Sequence, residues 1–262
     1  MRFENKVAII TGGGTGIGAA VAQRLVREGG KAILIGRRRA LLDEVAGPIG
    51  ALAHVGDAAD GACMRDAVAL ARETYGGLDI LIANAGGHGL GPAADTTDAA
   101  WADSLHANLN TAFVSARECL PELIARRGAV VVVSSIAGLF AGPGVAGYVT
   151  TKHALIGLTR SIARDYGRLG VRANAVCPGW VATAMADEQM EALATANGLS
   201  SIADAYAMVT ADVPLGRPAT PEEVANVIAF LASEEASMMT GSTVVIDGGA
   251  SAVDLPTLAF AH

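Results

Sequence analysis

Short runs of apolar residues alternate along the chain with longer segments in which apolar residues recur every three or four positions. Most of the short runs are continuous, which is typical of strands buried on both faces of a parallel sheet. They predict seven strands, at Val7–Ile10, Ala32–Ile35, Ala51–Val55, Ile80–Ala83, Val130–Val133, Val171–Val176 and Val244–Ile246.

The longer segments predict helices at about Ile17–Glu28, Arg38–Ala46, Ala62–Tyr75, Asp98–Ala125, Tyr148–Tyr166 and Pro221–Ala232. Thr220 before Pro221 is a typical helix start, and Asp60, Thr97 and Asp98 are candidate caps. A strand–helix order repeated about six times predicts an α/β fold. We expect a doubly wound parallel sheet of the Rossmann type, with about seven strands and helices on both faces.

Residues 184–213 interrupt this alternation, because they are rich in Ala and Met and contain no strand pattern. Ligands of doubly wound sheets bind beyond the carboxyl ends of the strands. We therefore expect a mobile helical lid over that crevice, with a structural excursion against a neighbouring subunit as the alternative. No repeat or linker divides the chain, so residues 1–262 are predicted to form a single domain.

Composition and charge narrow the function. Hydrophobic residues make up 52% of the chain and charged residues 17%, and the net charge of −7 leaves no basic surplus for binding nucleic acid. The longest apolar stretch, residues 129–149, contains two serines, a proline and four glycines, so we expect no membrane span. Three scattered cysteines and the lack of a signal-peptide pattern predict a cytoplasmic protein. The five histidines show no metal-ligand spacing, and no metal is expected.

A glycine-rich loop follows the first strand directly. It reads Gly12, Gly13, Gly14, Thr15, Gly16, Ile17 and Gly18, and a predicted helix begins there. Glycines allow the backbone to approach a pyrophosphate closely, and the helix N-terminus supplies unpaired N–H groups. The strand–loop–helix context favours a dinucleotide site over a simple tight turn.

Motifs in the right order and at the right strand ends resemble those of the short-chain dehydrogenase/reductase family. The loop from Thr11 to Gly18 is similar to the family's cofactor loop, and Asn84-Ala85-Gly86 resembles its Asn-Asn-Ala-Gly, with Ala83 in place of the first Asn. The other matching positions are Asn108, Ser135, Tyr148 with Lys152, Pro178-Gly179 with Thr183, and Asp247-Gly248-Gly249. The resemblance implies a nicotinamide-dependent oxidoreductase. It also implies cofactor contacts from Asn84, Ala85, Gly86, Tyr148, Lys152, Pro178, Gly179, Val181 and Thr183.

Tyr148 and Lys152 are four positions apart at the start of a predicted helix and therefore share one face. An ammonium beside a phenol stabilises the phenolate, so the pair can exchange a proton with a substrate oxygen. Ser135 ends the fifth strand, where its hydroxyl can hold the same oxygen; Ser134, on the opposite face of the strand, is the alternative. By the resemblance, Lys152 contacts the nicotinamide ribose, and Asn108 positions a water that links Lys152 to solvent.

The residues after the second strand bear on whether the cofactor is NADP(H) or NAD(H). Gly36 stands where NAD-preferring relatives usually have Asp, and Arg37 with two further arginines follows it. An arginine can accommodate the 2′-phosphate of NADP, so we expect NADP(H) to be preferred, with NAD(H) possible. Gly14 stands where many NADP-dependent relatives have a basic residue, which argues the other way. Asp57 resembles the family residue that meets adenine, and a helix cap is its alternative role.

The expected substrate pocket contains Ser135, Tyr148, His88 and Trp180, together with Leu90, residues 139–145 and the 184–213 segment. Because most of these are apolar, we expect an apolar or cyclic secondary alcohol or its ketone. One alternative is a 3-oxoacyl-[acyl-carrier-protein] reductase, for which Arg126, Arg127, Arg164, Arg168 and Arg172 are the available cations. The other is a non-catalytic nucleotide sensor. The resemblance also implies a homo-oligomer, a dimer or tetramer, in which Pro221–Ala232 and Val253–Phe260 are candidate interface segments.

Overall fold

The computed structural model describes residues 1–260 and places seven strands in one sheet. The strands are β1 Val7–Thr11, β2 Lys31–Gly36, β3 Leu52–Val55, β4 Ile80–Ala83, β5 Ala129–Val133, β6 Arg172–Pro178 and β7 Thr243–Ile246. Neighbouring strands pair in parallel in the order β3-β2-β1-β4-β5-β6-β7. The predicted doubly wound sheet is confirmed.

Helices cover both faces of this sheet. They are α1 Gly16–Arg27, α2 Arg39–Ile49, α3 Gly61–Tyr75, α4 Asp98–Ser104, α5 Thr111–Arg126, α6 Ala146–Tyr166, α7 Ala184–Asn197, α8 Ile202–Val209 and α9 Pro221–Ala232. Side chains alternate between the two faces along each strand. Ile10 and Leu34 pack in a core with α1, α2 and α9, whereas Ile9 and Ile33 pack in a second core with α3, α5 and α6. Burial on both faces explains why the strand sequences are continuous apolar runs.

Asp60, Thr97 and Thr220 cap helix starts as the sequence predicts, whereas Asp98 is the first residue of α4 and does not cap it. Asp60 accepts a hydrogen bond from the N–H of Ala62 at 2.9 Å, and Thr97 accepts one from Ala100 at 3.2 Å. Thr220 and Glu223 form a reciprocal capping box at the start of α9. These bonds satisfy N–H groups that the first turn of a helix leaves free.

The prediction of one continuous helix over Asp98–Ala125 is wrong in its middle, because Leu105–Asn110 is π-helical. This π segment joins α4 to α5 and contains the fully buried Asn108. The Asn108 side chain donates to the carbonyl of Ser104 at 3.1 Å and accepts from the N–H of Gly87 at 3.1 Å. A π turn adds about one residue to an α-helix, so the apolar period of the sequence hardly changes. The sequence pattern therefore did not reveal it.

The segment after β6 folds as α7 and α8, which pack on each other through their own apolar cluster. Met190, Ala194 and Tyr206 are buried in it, and Trp180 packs against it. The Tyr206 hydroxyl donates to Asp187 at 2.9 Å, and burial together with that carboxylate raises the pKa of Tyr206 to about 12. The pair of helices is thus held together as a unit, and its role as a lid stays a prediction.

Residues 1–260 contain no helix with both the length and the apolar composition needed to cross a bilayer. Across the same residues, no set of three His, Cys, Asp or Glu side chains is arranged to hold a metal ion. Cys63, Cys119 and Cys177 are free thiols, and burial raises the pKa of Cys119 far above its ordinary value.

Candidate active site

The predicted site residues follow the carboxyl ends of six neighbouring strands, and these ends lie at one edge of the sheet. Strand β1 lies between β2 and β4, so the chain leaves β1 toward one side of the sheet and β4 toward the other. Such a switch point opens a crevice outside the strand ends. The candidate site is built around this crevice.

The glycine-rich loop needs its glycines for contacts as well as for conformation. Gly12 and Gly16 have positive φ angles of 65° and 52°. A Cβ on Gly18 would overlap the carbonyl oxygen of Gly12, so α1 packs directly against the loop. Thr15 precedes α1, and no side chain caps the helix there. The first N–H groups of α1 therefore lack a capping side chain and can donate to an anionic group. They belong to the helix start formed by Thr15, Gly16, Ile17 and Gly18.

A hydrogen-bonded link fixes this loop to the end of β4. The Thr11 hydroxyl accepts the N–H groups of Asn84 and Ala85, each at 3.0 Å. The Asn84 amide donates in return to the carbonyls of Thr11 at 3.0 Å and Gly12 at 3.3 Å. Asn84 therefore shapes the loop, and its predicted contact with the cofactor stays a prediction.

Arg37 and Asp57 follow β2 and β3 at the same edge. Arg37 is exposed, as are the two arginines that open α2. Asp57 accepts the N–H of Ala59 at 2.8 Å and lies 3.0 Å from the Nε2 atom of His106. Burial pushes the pKa of Asp57 up, but the Ala59 N–H, His106 and the charge of Arg37 outweigh it and lower this pKa below its ordinary value. The carboxylate is therefore ionised near neutral pH.

Ser134 and Ser135 face different surroundings at the end of β5. The Ser134 hydroxyl is buried and donates to the carbonyl of Lys152 at 2.8 Å. Ser135 is only partly buried, and its oxygen accepts the N–H of Ala137 at 3.1 Å. That bond leaves the hydroxyl proton of Ser135 free for another acceptor. The placement favours Ser135 over Ser134 as the group that meets a substrate.

Lys152 is buried, with 5% of its surface exposed. Its Nζ atom donates to the carbonyl of Val133 at 3.2 Å and lies 5.4 Å from the centre of the Tyr148 ring. An ammonium has three donors, so further partners can bind it. A Cβ on Gly86 would lie 3.5 Å from this nitrogen and 3.1 Å from the Oδ1 atom of Asn108. The lack of a side chain at Gly86 thus leaves room between Lys152 and the π segment.

The residues after β6 close over the glycine loop. Gly179 donates its N–H to the carbonyl of Ile246 at 2.9 Å, next to Pro178. Val181 forms an isolated parallel bridge with Ala219. Thr183 caps α7 by accepting the N–H of Ala186 at 3.3 Å, and its methyl group would lie 3.2 Å from a Cβ on Gly16. Thr183 is therefore adjacent to the predicted phosphate site.

His88 and Trp180, two of the predicted substrate residues, both contact the pair of helices α7 and α8. His88 accepts a hydrogen bond at Nδ1 from the amide of Gln189 at 3.0 Å, and its Nε2 atom lies 3.8 Å from Glu188. Trp180 packs against the apolar cluster of α7 and α8. His88 thus joins the loop after β4 to α7.

Four side chains gain roles that sequence reasoning did not give them. The buried residues Thr11 and Ser134 make hydrogen bonds through their hydroxyls, while His106 and Gln189 reach Asp57 and His88 from distant parts of the chain. Thr11 directly precedes the glycine loop, and this position was a sequence signal for its role in holding the loop. The pairs with His106 and Gln189 are 49 and 101 residues apart and have no local signal.

Comparisons with known proteins agree with this geometry. Residues 12–251 match the model of the family described as Enoyl-(Acyl carrier protein) reductase. Protein MoaE of Klebsiella aerogenes is 52% identical over 262 residues, covering 98% of this chain and 99% of that protein. Meso-2,3-butanediol dehydrogenase of Serratia marcescens is 37% identical over 257 residues, covering 97% and 98%. L-sorbose reductase from Gluconobacter frateurii, solved with NADPH and L-sorbose, superposes with a TM-score of 0.89 at 30% identity and covers 95% and 97%.

The sheet, the crevice and these matches define an oxidoreductase that acts on alcohol and ketone groups. The chain belongs to the short-chain dehydrogenase/reductase family.

Proposed function

We propose that the protein transfers a hydride between NADP(H) and a secondary alcohol or ketone whose body is apolar or cyclic. The observation that carries the proposal is the position of the Lys152 ammonium, which donates to the carbonyl of Val133, two residues before Ser135, and lies near the Tyr148 ring. Ser135 has a free hydroxyl proton, and the ammonium of Lys152 lies 5.4 Å from the Tyr148 ring. Relatives that act on butanediol and sorbose support the reaction class.

The chain offers a continuous surface for the dinucleotide. Gly12, Gly14, Thr15, Gly16, Ile17 and Gly18 would hold the pyrophosphate, and Asp57 and Arg37 the adenosine end. Asn84, Ala85, Gly86, Pro178, Gly179, Val181 and Thr183 would surround the nicotinamide end, with Lys152 on its ribose. The uncapped start of α1 and the glycines of the loop support this assignment. When bound, the cofactor supplies or accepts the hydride.

The protein's own residues hold and move the proton. Tyr148 donates a proton to the substrate oxygen during reduction and takes it back during oxidation, because the ammonium of Lys152 stabilises the phenolate. Ser135 donates its hydroxyl proton to the same oxygen and holds it in place. The Asn108 side chain is bound to Ser104 and Gly87. It would therefore act by fixing the π segment beside Lys152, where a water can connect Lys152 to solvent.

The preference for NADP(H) rests on the turn after β2. Gly36 offers no carboxylate to adenosine ribose hydroxyls, and Arg37 is exposed beside it. Three arginines at the start of α2 are disfavoured by the helix dipole, and a bound 2′-phosphate would offset this. The relative solved with NADPH supports the same preference.

The proposal that the substrate is apolar rests on the exposed apolar side chains that follow the strand ends. Leu90, Leu139, Phe140, Met185, Met208 and Leu215 are each at least 36% exposed. They follow β4, β5 and β6, as the predicted pocket does. In this proposal α7 and α8 form the lid, with His88 and Trp180 at its inner edge, and substrate binding covers part of the apolar surface.

An acyl-carrier-protein substrate is less well supported, because the cations it would need lie elsewhere. Arg126 and Arg127 immediately precede β5, and Arg172 is the first residue of β6. These positions lie at the amino ends of the strands, opposite the crevice. Arg126 pairs with Asp79 at 3.0 Å, and Arg172 donates to the carbonyls of Leu231 and Ser233.

We also propose a homo-oligomer, a dimer or tetramer. The exposed apolar side chains of Phe230 on α9, Val245 on β7 and Phe260 in the C-terminal segment support it, because association would bury them.

The test uses purified protein, fluorescence titration with NADPH and NADH, and a panel of apolar and cyclic ketones and alcohols. We expect tight NADPH binding and turnover of some panel members. Tyr148→Phe removes only the hydroxyl, so activity should fall by about 100-fold or more while NADPH binding persists. Tyr166→Phe, at the far end of α6, is the matched control and should keep full activity. Turnover that survives in Tyr148→Phe would contradict the proposal.

A further inference from the structure

Two titratable side chains from distant parts of the chain meet beside the proposed adenosine site. The Nε2 atom of His106 lies 3.0 Å from the Oδ2 atom of Asp57. The other oxygen of Asp57 accepts the N–H of Ala59 at 2.8 Å. Each carboxylate oxygen therefore has its own donor, and the group cannot rotate without breaking one of the two bonds.

The direction of the bond to His106 follows from the charge of its partner. The Ala59 N–H, His106 and Arg37 together hold the pKa of Asp57 low despite its partial burial. An ionised carboxylate only accepts hydrogen bonds, so the Nε2 atom of His106 carries the proton and donates it. Both oxygens of Asp57 keep an unused lone pair for a ligand.

The segments that carry these two residues are themselves anchored. Ala58 is buried, and its carbonyl accepts the Ser115 hydroxyl of α5 at 3.4 Å. His106 belongs to the π segment, which Asn108 fixes to Gly87 on the loop after β4. His106 thus approaches Asp57 from the element that also borders Lys152.

We infer that His106 is a positioning residue for cofactor binding, which fixes the Asp57 carboxylate against the adenosine end of NADP(H). The inference rests on the proposed function. A side chain already held in its binding orientation loses less conformational entropy when the ligand binds. The donated N–H also offsets the negative charge of Asp57 beside an anionic cofactor, while Arg37 remains available for the phosphate.

The test is a double-mutant cycle on NADPH affinity. It compares the wild type, His106→Leu, Asp57→Asn and the double variant by fluorescence titration. We expect His106→Leu to weaken NADPH binding by about two- to fivefold, the range of a partly exposed hydrogen bond to a carboxylate. In the Asp57→Asn background the same change should have no further effect, because His106 acts through that carboxylate. The KM for the ketone should change less than the Kd for NADPH.

Two further variants separate this role from a general loss of structure. His106→Gln keeps an N–H donor at a similar reach and should restore most of the affinity. His153→Leu removes an exposed histidine whose ring bonds to the carbonyl of Val149 in its own helix, and this variant should bind NADPH as the wild type does. Unchanged affinity in His106→Leu, or an equal loss in both Asp57 backgrounds, would overturn the inference. If the wild type binds no NADPH at all, the proposed function fails instead.

Discussion

The two sides of the crevice are built in different ways. On the side proposed to bind the dinucleotide, the backbone of α1 packs directly on the loop through Gly12 and Gly18. The side chains of Asn84 and Thr11 hold this loop to the end of β4 with four hydrogen bonds. On the side proposed to bind the substrate, exposed apolar side chains follow the ends of β4, β5 and β6, and α7 meets the loop after β4 through His88 and Gln189. A cofactor that is common to a whole family needs a binding site of fixed geometry, whereas a substrate that differs between members needs side chains that can change.

Charge separates the two sides as well. Arginines 37, 38 and 39 stand at the start of α2, on the dinucleotide side. In contrast, residues 184–216, which include α7 and α8, contain five Asp and Glu residues and no Lys or Arg. In the proposed function, the positive charge of the first side favours a phosphate group, while the negative charge of the second side disfavours anions. We predict three outcomes from this contrast, beginning with the largest.

The largest effect is expected from Gly18→Ala on the dinucleotide side. Its Cβ would overlap the carbonyl oxygen of Gly12 and lie 2.7 Å from the Asn84 amide, so the loop must shift. Overpacking of this kind costs about 1–3 kcal/mol, so NADPH affinity should fall by as much as about 100-fold. Fluorescence titration measures the change.

Gly157→Ala is the matched control for that variant. Gly157 lies on α6, is exposed, and a Cβ there would meet nothing within 4 Å. Alanine favours the helix over glycine by about 1 kcal/mol, so thermal unfolding should occur at slightly higher temperature with NADPH affinity unchanged. Equal NADPH affinity in Gly18→Ala and Gly157→Ala would show that close packing at Gly18 is not needed for NADPH binding. The contrast between the two sides of the crevice would then fail.

A smaller effect is expected from Gly36→Asp. A Cβ at this position would lie 3.4 Å from Leu42, an ordinary contact, so the variant should fold. The new carboxylate would repel a 2′-phosphate and accept ribose hydroxyls, so NADPH should bind about tenfold more weakly and NADH more tightly. Gly36→Ala adds the same Cβ without the charge and should leave the ratio of the two Kd values as it is. A wild type that binds NADH more tightly than NADPH would contradict the proposed preference.

The smallest effect on activity is expected from Ser134→Ala. Its buried hydroxyl holds the carbonyl of Lys152, so its loss should lower the free energy of unfolding by about 1–2 kcal/mol. Activity should stay within about threefold, because the Lys152 side chain keeps its bond to Val133. Ser135→Ala should show the reverse, with activity reduced by about 100-fold. Its loss of stability should be small, because water can replace the partly exposed hydroxyl as the partner of the Ala137 N–H. Denaturant unfolding and initial rates separate the two, and similar losses in both variants would contradict the assignment of Ser135.

The sheet was predictable because strands buried on both faces are continuous apolar runs, and each strand begins and ends within two residues of its predicted limits. The candidate site was predictable where a motif is local, as in the glycine loop or the four-residue spacing of Tyr148 and Lys152. Contacts such as His106 with Asp57 were not predictable, because they depend on how separate elements pack. The π segment was missed because an insertion of one residue leaves no change in composition.

The π segment also limits which changes of length the chain can tolerate. An α-helix turns by about 100° per residue, so deleting one residue within Leu105–Asn110 would restore α-helical winding and rotate α4 by about that angle relative to α5. Trp101 and Ser104 would then face other neighbours, and the Asn108 bond to Gly87 would be lost. A surface loop absorbs a lost residue at little cost, but this helix cannot. Selection for an intact crevice would therefore maintain the number of residues in this helix, even where the residues on the outer face of the helix change.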